Sequence, residues 1–173
     1  MGMLKNLSFI NMLFWNIVII GLWHAVVFLA CVKRPDSSYD PEKSRFVAKP
    51  WEHGGRWYRD NLKIQVWKDR LPQYIGKEGF SKAHLTDMSI DYLDQFIVET
   101  CRGEWMHLKN CICCVVMLLI NPLIVGIIAS CFIMAGNLPF AIVQRYNRFR
   151  LQTLRKRKMR EMRTSGVEQT VTA

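Results

Sequence analysis

The chain has 173 residues, half of them hydrophobic, with 24 Lys and Arg against 14 Asp and Glu. That is enough for one domain of ordinary size, and its charge is segregated: residues 9–32 and 111–143 carry none, 33–110 carry 14 basic and 12 acidic residues, and 144–173 carry 9 and 2. A balanced middle and a basic tail without a recognition fold argue against nucleic-acid binding, and six cysteines in or beside apolar sequence argue against a secreted disulfide scaffold. The first element is a transmembrane helix over 9–32, ended by Lys33, Arg34 and Pro35. Its 24 residues, rising ~1.5 Å each, cross a ~30 Å core with some tilt. A cleaved signal peptide is a poor rival, because one lysine precedes a run too long for an h-region. His24, inside this helix, reads as a neutral histidine hydrogen-bonded to a neighbouring helix.

Residues 33–104 form an interfacial segment, amphipathic and rich in aromatics: Trp51, Trp57, Trp67, Tyr58, Tyr74, Phe80 and Tyr92. Aromatics with Lys and Arg suit the headgroup level of a membrane. Leu62, Ile64 and Val66 alternate with polar residues and predict a short strand or extended stretch ending at Leu71-Pro72. Gly76 and Gly79 mark a loop, and Thr86-Asp87 caps a helix running to the membrane.

The second apolar run, 111–143, would be ~50 Å long as one helix, too long for a single crossing without severe tilt. Asn121-Pro122 offers a break, since the residue before proline avoids the helical region. Asn137 and Pro139 mark a second irregular point. Crossings over 105–121 and 123–143 follow, then a basic segment over 144–163 and a disordered tail over 164–173. The fold class is therefore mainly α: a small integral membrane protein with about three transmembrane helices, read as one membrane-embedded domain over 1–163. Lys33-Arg34 and the tail both favour the cytoplasm, which three crossings satisfy; two crossings are the alternative.

Glu99, Arg102, Glu104 and His107 stand directly before the second apolar run. Charge beside lipid is expensive and marks a functional site. On a helix these four follow one another around roughly 200° of arc. Glu104 lies three residues from His107, and an imidazole oriented by a carboxylate is a workable general base. Arg145, Arg148 and Arg150 follow the last crossing, interleaved with Gln144, Tyr146 and Asn147. All being arginine, they suit bidentate contact with phosphate or carboxylate; an internal ion-pair network to Glu99 and Glu104 is the alternative. Cys111-x-x-Cys114 has metal spacing but no second pair and reads as membrane-packing thiols. No metal cluster and no Gly-rich phosphate loop occur, so no cofactor is expected.

Taken together, Tyr39-Asp-Pro41, Trp51-Glu52-x-Gly54, Trp57-Tyr58, Trp67-Lys-Asp-x-Leu-Pro72, Phe80-x-Lys82-x-His84-Leu85, the Glu99–His107 motif, Asn137-x-Pro139 and Gln144-Arg-Tyr-Asn-Arg148-x-Arg150-Leu151 form a recognisable order. It resembles the glycosyl-4,4'-diaponeurosporenoate acyltransferases, small bacterial membrane proteins of carotenoid synthesis, from about Pro35 to Leu151. The resemblance implies transfer of a fatty acyl group to a hydroxyl of a glycosylated carotenoid carboxylate or similar glycolipid. It implies location in a bacterial cell membrane, multi-pass, and the charge pattern puts the basic tail in the cytoplasm. The implied partners are a lipid acceptor and an acyl donor, either a thioester or a lipid, with no nucleic acid.

Acyl transfer to an alcohol needs a base for the hydroxyl, groups to hold the oxyanion, and a donor site. His107 oriented by Glu104, with Glu99 and Arg102, is the first catalytic candidate; His84 is the second. The expected substrate contacts are the matched positions Trp51, Glu52, Trp57, Trp67, Lys82 and Asn137, with Gln144, Arg145, Tyr146, Asn147, Arg148 and Arg150. No serine or cysteine has a nucleophile context, so direct attack by the acceptor hydroxyl is expected. The competing classes are a non-catalytic membrane scaffold and a different lipid-modifying enzyme on the same residues.

Overall fold

The computed structural model describes residues 3–4, 6–71 and 89–171, with side chains as far as residue 164. The helices among these residues are α1 (Phe9–Lys33), α2 (Arg56–Leu62), α3 (Ile64–Trp67), α4 (Ile90–Cys111), α5 (Cys113–Ile120) and α6 (Leu123–Val171). Short 3-10 turns occupy Asp36–Tyr39, Pro50–Gly55 and Lys68–Arg70, and no strand occurs among the described residues. Three stretches are long and apolar enough to cross a membrane: Phe9–Lys33, Ile90–Ile120 and Leu123–Thr164. The protein is thus a mainly α integral membrane protein. Its contacts group into two compact units, Met1–Ser38 with Arg102–Ile142, and Tyr39–Cys101 with Val143–Ala173.

In the first unit, Ser8 caps α1 by accepting from the Asn11 N–H at 3.4 Å. The helix ends where Arg34, before Pro35, turns extended at ψ 139°. Most of its apolar side chains are exposed, Phe9, Ile10, Phe14, Leu22 and Phe28 among them; this is the surface a lipid-facing helix presents. Its other side packs Ile19, Ile20 and Trp23 against a core of Cys113, Met117 and Ile133. The buried amides of Asn16 and Asn121 donate to each other at 2.9 and 2.7 Å. Each thus satisfies a polar group that lipid could not.

The predicted break at Asn121-Pro122 is present. Asn121 is extended (φ −101°, ψ 162°) and ends α5. Gly126 then lets α6 approach, since a Cβ there would sit 2.9 Å from the Met117 carbonyl oxygen. The helix before the break reaches back to Ile90, interrupted only by a tightened turn in which the Ile112 N–H bonds the Lys109 carbonyl at 3.2 Å. The charged motif therefore belongs to the same helical run as the crossing. At Pro139, where the sequence indicates an irregular point, α6 is continuous. The helix extends to Val171.

The second unit packs Leu93, Phe96 and Ile97 of α4 against Leu151 of α6, with Tyr92 and Leu154 alongside. Trp51, Trp57 and Tyr58 form a mutually edge-on or tilted aromatic group, with ring centroids 5.1–5.9 Å apart. The strand predicted through Leu62, Ile64 and Val66 is instead the end of α2 and the start of α3, joined at Lys63 in a left-handed conformation (φ 47°). With no partner strand among the described residues, local bonds such as Val66 N–H to Lys63 C=O at 2.9 Å satisfy the backbone. Val66 is 67% exposed, so the alternation does not define one buried face. The loop at Gly76 and Gly79 and the cap at Thr86-Asp87 lie outside the described residues.

Candidate active site

Three polar side chains inside the first unit form a chain of hydrogen bonds. His24 Nδ1 lies 2.8 Å from the Ile20 carbonyl oxygen, one turn back on α1. The Asn137 Nδ2 on α6 lies 3.3 Å from His24 Nε2 and 3.0 Å from the Ile133 carbonyl. The Asn137 Oδ1 lies 3.2 Å from His107 Nδ1 on α4. Carbonyl oxygens only accept, so the two backbone carbonyls orient the whole chain. Ile20 requires a proton on His24 Nδ1, which leaves Nε2 of the neutral ring as an acceptor. Ile133 requires the amide nitrogen of Asn137 on its side, which turns Oδ1 to His107. His107 then donates from Nδ1. Phe140 stacks on the His107 ring at 5.1 Å and 20° and fixes its plane.

The spacing of the charged motif on α4 is as the sequence predicts, and Glu104 is 7% exposed. The ion pair seen for Arg102 is with Asp36, in the turn after α1. Nearby, the Arg34 guanidinium lies 4.5 Å from the centroid of the Trp105 ring. His107 is reached by the amide of Asn137, which the sequence marks only as a substrate contact.

The second unit holds a buried ion pair. Glu52 is fully buried and accepts from Arg145 Nε at 2.7 Å and Nη2 at 2.7 Å, from the Tyr58 hydroxyl at 2.5 Å and from the Lys49 N–H at 2.5 Å. The remaining Arg145 donors reach the carbonyls of Arg45, Phe46 and Val47 at 3.0, 3.3 and 2.8 Å. Burial alone would raise the Glu52 pKa, but the bonds from Arg145, Tyr58 and Lys49 outweigh it and hold the carboxyl below its usual range. Burial, with the neighbouring Glu52 charge, pushes the Tyr58 phenol up. The pair fastens the turn at Pro50–Gly55 to α6, and the left-handed run His53, Gly54, Gly55 (φ 47°, 65° and 93°) shapes that turn.

The three arginines of the α6 block therefore separate. Arg145 holds Glu52. Arg148 is fully buried, donates to Cys101 Sγ at 3.2 Å and lies over the Phe46 ring at 5.3 Å. Arg150 is exposed. At ~100° per residue, Arg150 points about 140° from Arg145 and about 160° from Arg148, so one helix cannot converge them. Tyr146 is buried and receives a 3.2 Å bond from Gln65 Nε2. Gln144, Asn147, Trp57 and Trp67 are half-buried and Trp51 is 50% exposed. Lys82 and His84 lie outside the described residues. No cluster able to hold a metal occurs among the described residues.

Sequence reasoning gave His24 a structural role and did not connect it to His107. The available signal was that polar side chains in apolar helices need partners: His24 and Asn137 both stand in such runs.

The three members of the relay lie on the three membrane-length helices. The sequence model of the glycosyl-4,4'-diaponeurosporenoate acyltransferases matches residues 36–157. Proteins of that name from Staphylococcus aureus strains MRSA252 and USA300 are 29% and 28% identical over 122 residues, covering 69% of this chain and 73% of theirs. No solved structure matches. The chain belongs to the glycosyl-4,4'-diaponeurosporenoate acyltransferase family and is an acyltransferase.

Proposed function

We propose that this membrane acyltransferase moves a fatty acyl group onto a hydroxyl of a glycosylated carotenoid carboxylate or similar glycolipid, with His107 as general base. The acceptor class comes from the names of its relatives. The observation that carries the mechanism is the relay through His24 and Asn137, which supports an unprotonated Nε2 on His107. In the reaction, Nε2 takes the acceptor hydroxyl proton as that oxygen attacks the donor carbonyl. The tetrahedral intermediate then collapses, and the leaving group departs with the proton from the imidazolium. Asn137 Oδ1 accepts from Nδ1 throughout and stabilises the charged ring. Glu104, one turn earlier on α4, is placed to orient His107, and Arg102 and Glu99 complete the charged face of that helix. His84 remains the second candidate base.

The distribution of Lys and Arg supports an orientation with the N-terminus outside and both the middle segment and the basic tail in the cytoplasm. The partners are then a lipid acceptor and an acyl donor at that membrane face.

The test expresses the intact chain and His107→Ala at matched levels in a host making glycosylated carotenoid carboxylate, with lipid extracts compared by mass spectrometry. The account expects a fatty-acyl mass increment with the intact chain alone. An increment with both would remove His107 as the base, and none with either would reject this acceptor.

A further inference from the structure

A cleft of about 320 Å³ opens in the second unit between the Gly54-Gly55 turn, the start of α2 and the middle of α6. Three arginines line it, Arg56, Arg59 and Arg150, and no carboxylate does among the described residues. Arg56 and Arg150 are exposed, and Arg59 pairs with its chain neighbour Asp60 at 2.8 Å, both well exposed. Several guanidinium groups around one concave space repel each other, and an anion in that space relieves the repulsion.

The walls fit the same occupant. At Gly54 an added Cβ would meet nothing within 4 Å, so bare backbone faces open space. At Gly55 a Cβ would press on the Phe149 ring at 3.1 Å, and the positive φ of 93° already disfavours a side chain. Two glycines therefore keep this wall low. Tyr146 accepts from Gln65, and a phenol that accepts one bond still has a proton to donate. Phe149 and Leu154 supply an apolar floor. The volume lies at the lower end of ligand pockets, about 300–1,000 Å³, which suits a headgroup-sized fragment rather than a whole lipid.

We infer that this cleft holds the phosphate of the acyl donor. The inference rests on the acyl-transfer reading, because a transferase needs an activated donor. Of the two substrates, the glycosylated acceptor offers sugar hydroxyls. Activated acyl donors, thioesters of phosphopantetheine carriers or phospholipids, carry phosphate, and arginine binds phosphate through paired N–H groups. The expected donor clamp thus consists of Arg150 with Arg56 and Arg59, contributed by α6 and α2.

The test uses the full chain in phosphatidylcholine nanodiscs, with binding measured separately from turnover. The probes are coenzyme A for a thioester carrier, glycerophosphoglycerol for a phospholipid headgroup, and pantetheine as the phosphate-free control. Arg56→Gln/Arg150→Gln is compared with Arg160→Gln/Arg163→Gln, which removes equal charge from exposed positions outside the cleft. One phosphate probe should bind, pantetheine should not, and the first variant alone should weaken binding about tenfold or more. The probe that binds identifies the donor source. In the acyl-transfer assay the same variant should raise the donor KM and leave kcat within about twofold. No binding of either phosphate probe, or equal weakening in both variants, overturns the inference. Arginine-dependent binding in a chain that makes no acylated product would instead keep the cleft and sink the acyl-transfer reading of His107.

Discussion

The two units bury polar side chains in different arrangements. In the first, a hydrogen-bonded chain passes through Ile20 C=O, His24, Asn137 and His107, and the Arg102–Asp36 ion pair of that unit reaches solvent, Asp36 being 76% exposed. In the second, a full negative charge on Glu52 is buried against Arg145 and surrounded by donors. The difference follows from solvent. An ion pair inside a lipid-facing unit has no water to draw on, and a neutral amide between two imidazoles avoids that cost. The second unit has enough donors to satisfy a carboxylate, and there charge fixes the fold of a glycine turn. In the proposed mechanism the relay serves proton transfer, while the Glu52–Arg145 pair fastens the turn.

Breaking each arrangement should therefore give a different signature. The largest effect is expected on activity: His107→Ala should lower kcat/KM by about 10²–10⁴, with the thermal midpoint in detergent little changed. Next comes the fastener. Arg145→Met leaves the Glu52 charge buried without its main partner and should cost about 3–5 kcal/mol of stability by chemical denaturation. Replacing Glu52 and Arg145 together by apolar residues should cost less than either alone. Gly126→Ala should destabilise the α5–α6 hairpin by about 1–3 kcal/mol, because the new Cβ meets the rigid Met117 carbonyl. The smallest effect separates the units by pH. Because the native Glu52 pKa is depressed, its contribution is fully present above the usual carboxylate range and disappears as pH falls through its native value. The intact chain should lose thermal stability in that acid window, and Glu52→Gln, destabilised at neutral pH, should show a flatter profile.

The spans, the break at Asn121-Pro122 and the charged face of α4 were legible because each is local: apolar run length, proline sterics and helical spacing are written within a few residues. The separation of Arg145, Arg148 and Arg150 around the helix was equally legible from ~100° per residue, while their clustering in sequence suggested either a clamp or an internal ion-pair network. The strand through Leu62 to Val66 failed because a five-residue alternation looks the same in two short helices joined by a left-handed Lys63. What sequence alone could not supply were the long-range partners. Glu52 and Arg145 are 93 residues apart, and His24 and Asn137 are 113 apart. Each residue was conspicuous, but spacing along the chain says nothing about which of them meet.

The central claim is that the relay fixes His107 as the Nδ1-protonated tautomer, with Nε2 left to accept a proton. Nitrogen-15 NMR of the histidine side chains, in the intact chain and in Asn137→Leu, tests it directly. The account predicts protonated Nδ1 and unprotonated Nε2 on His107 in the intact chain, and loss of that preference in the variant. A proton on Nε2 in the intact chain, or an unchanged tautomer in Asn137→Leu, would contradict it.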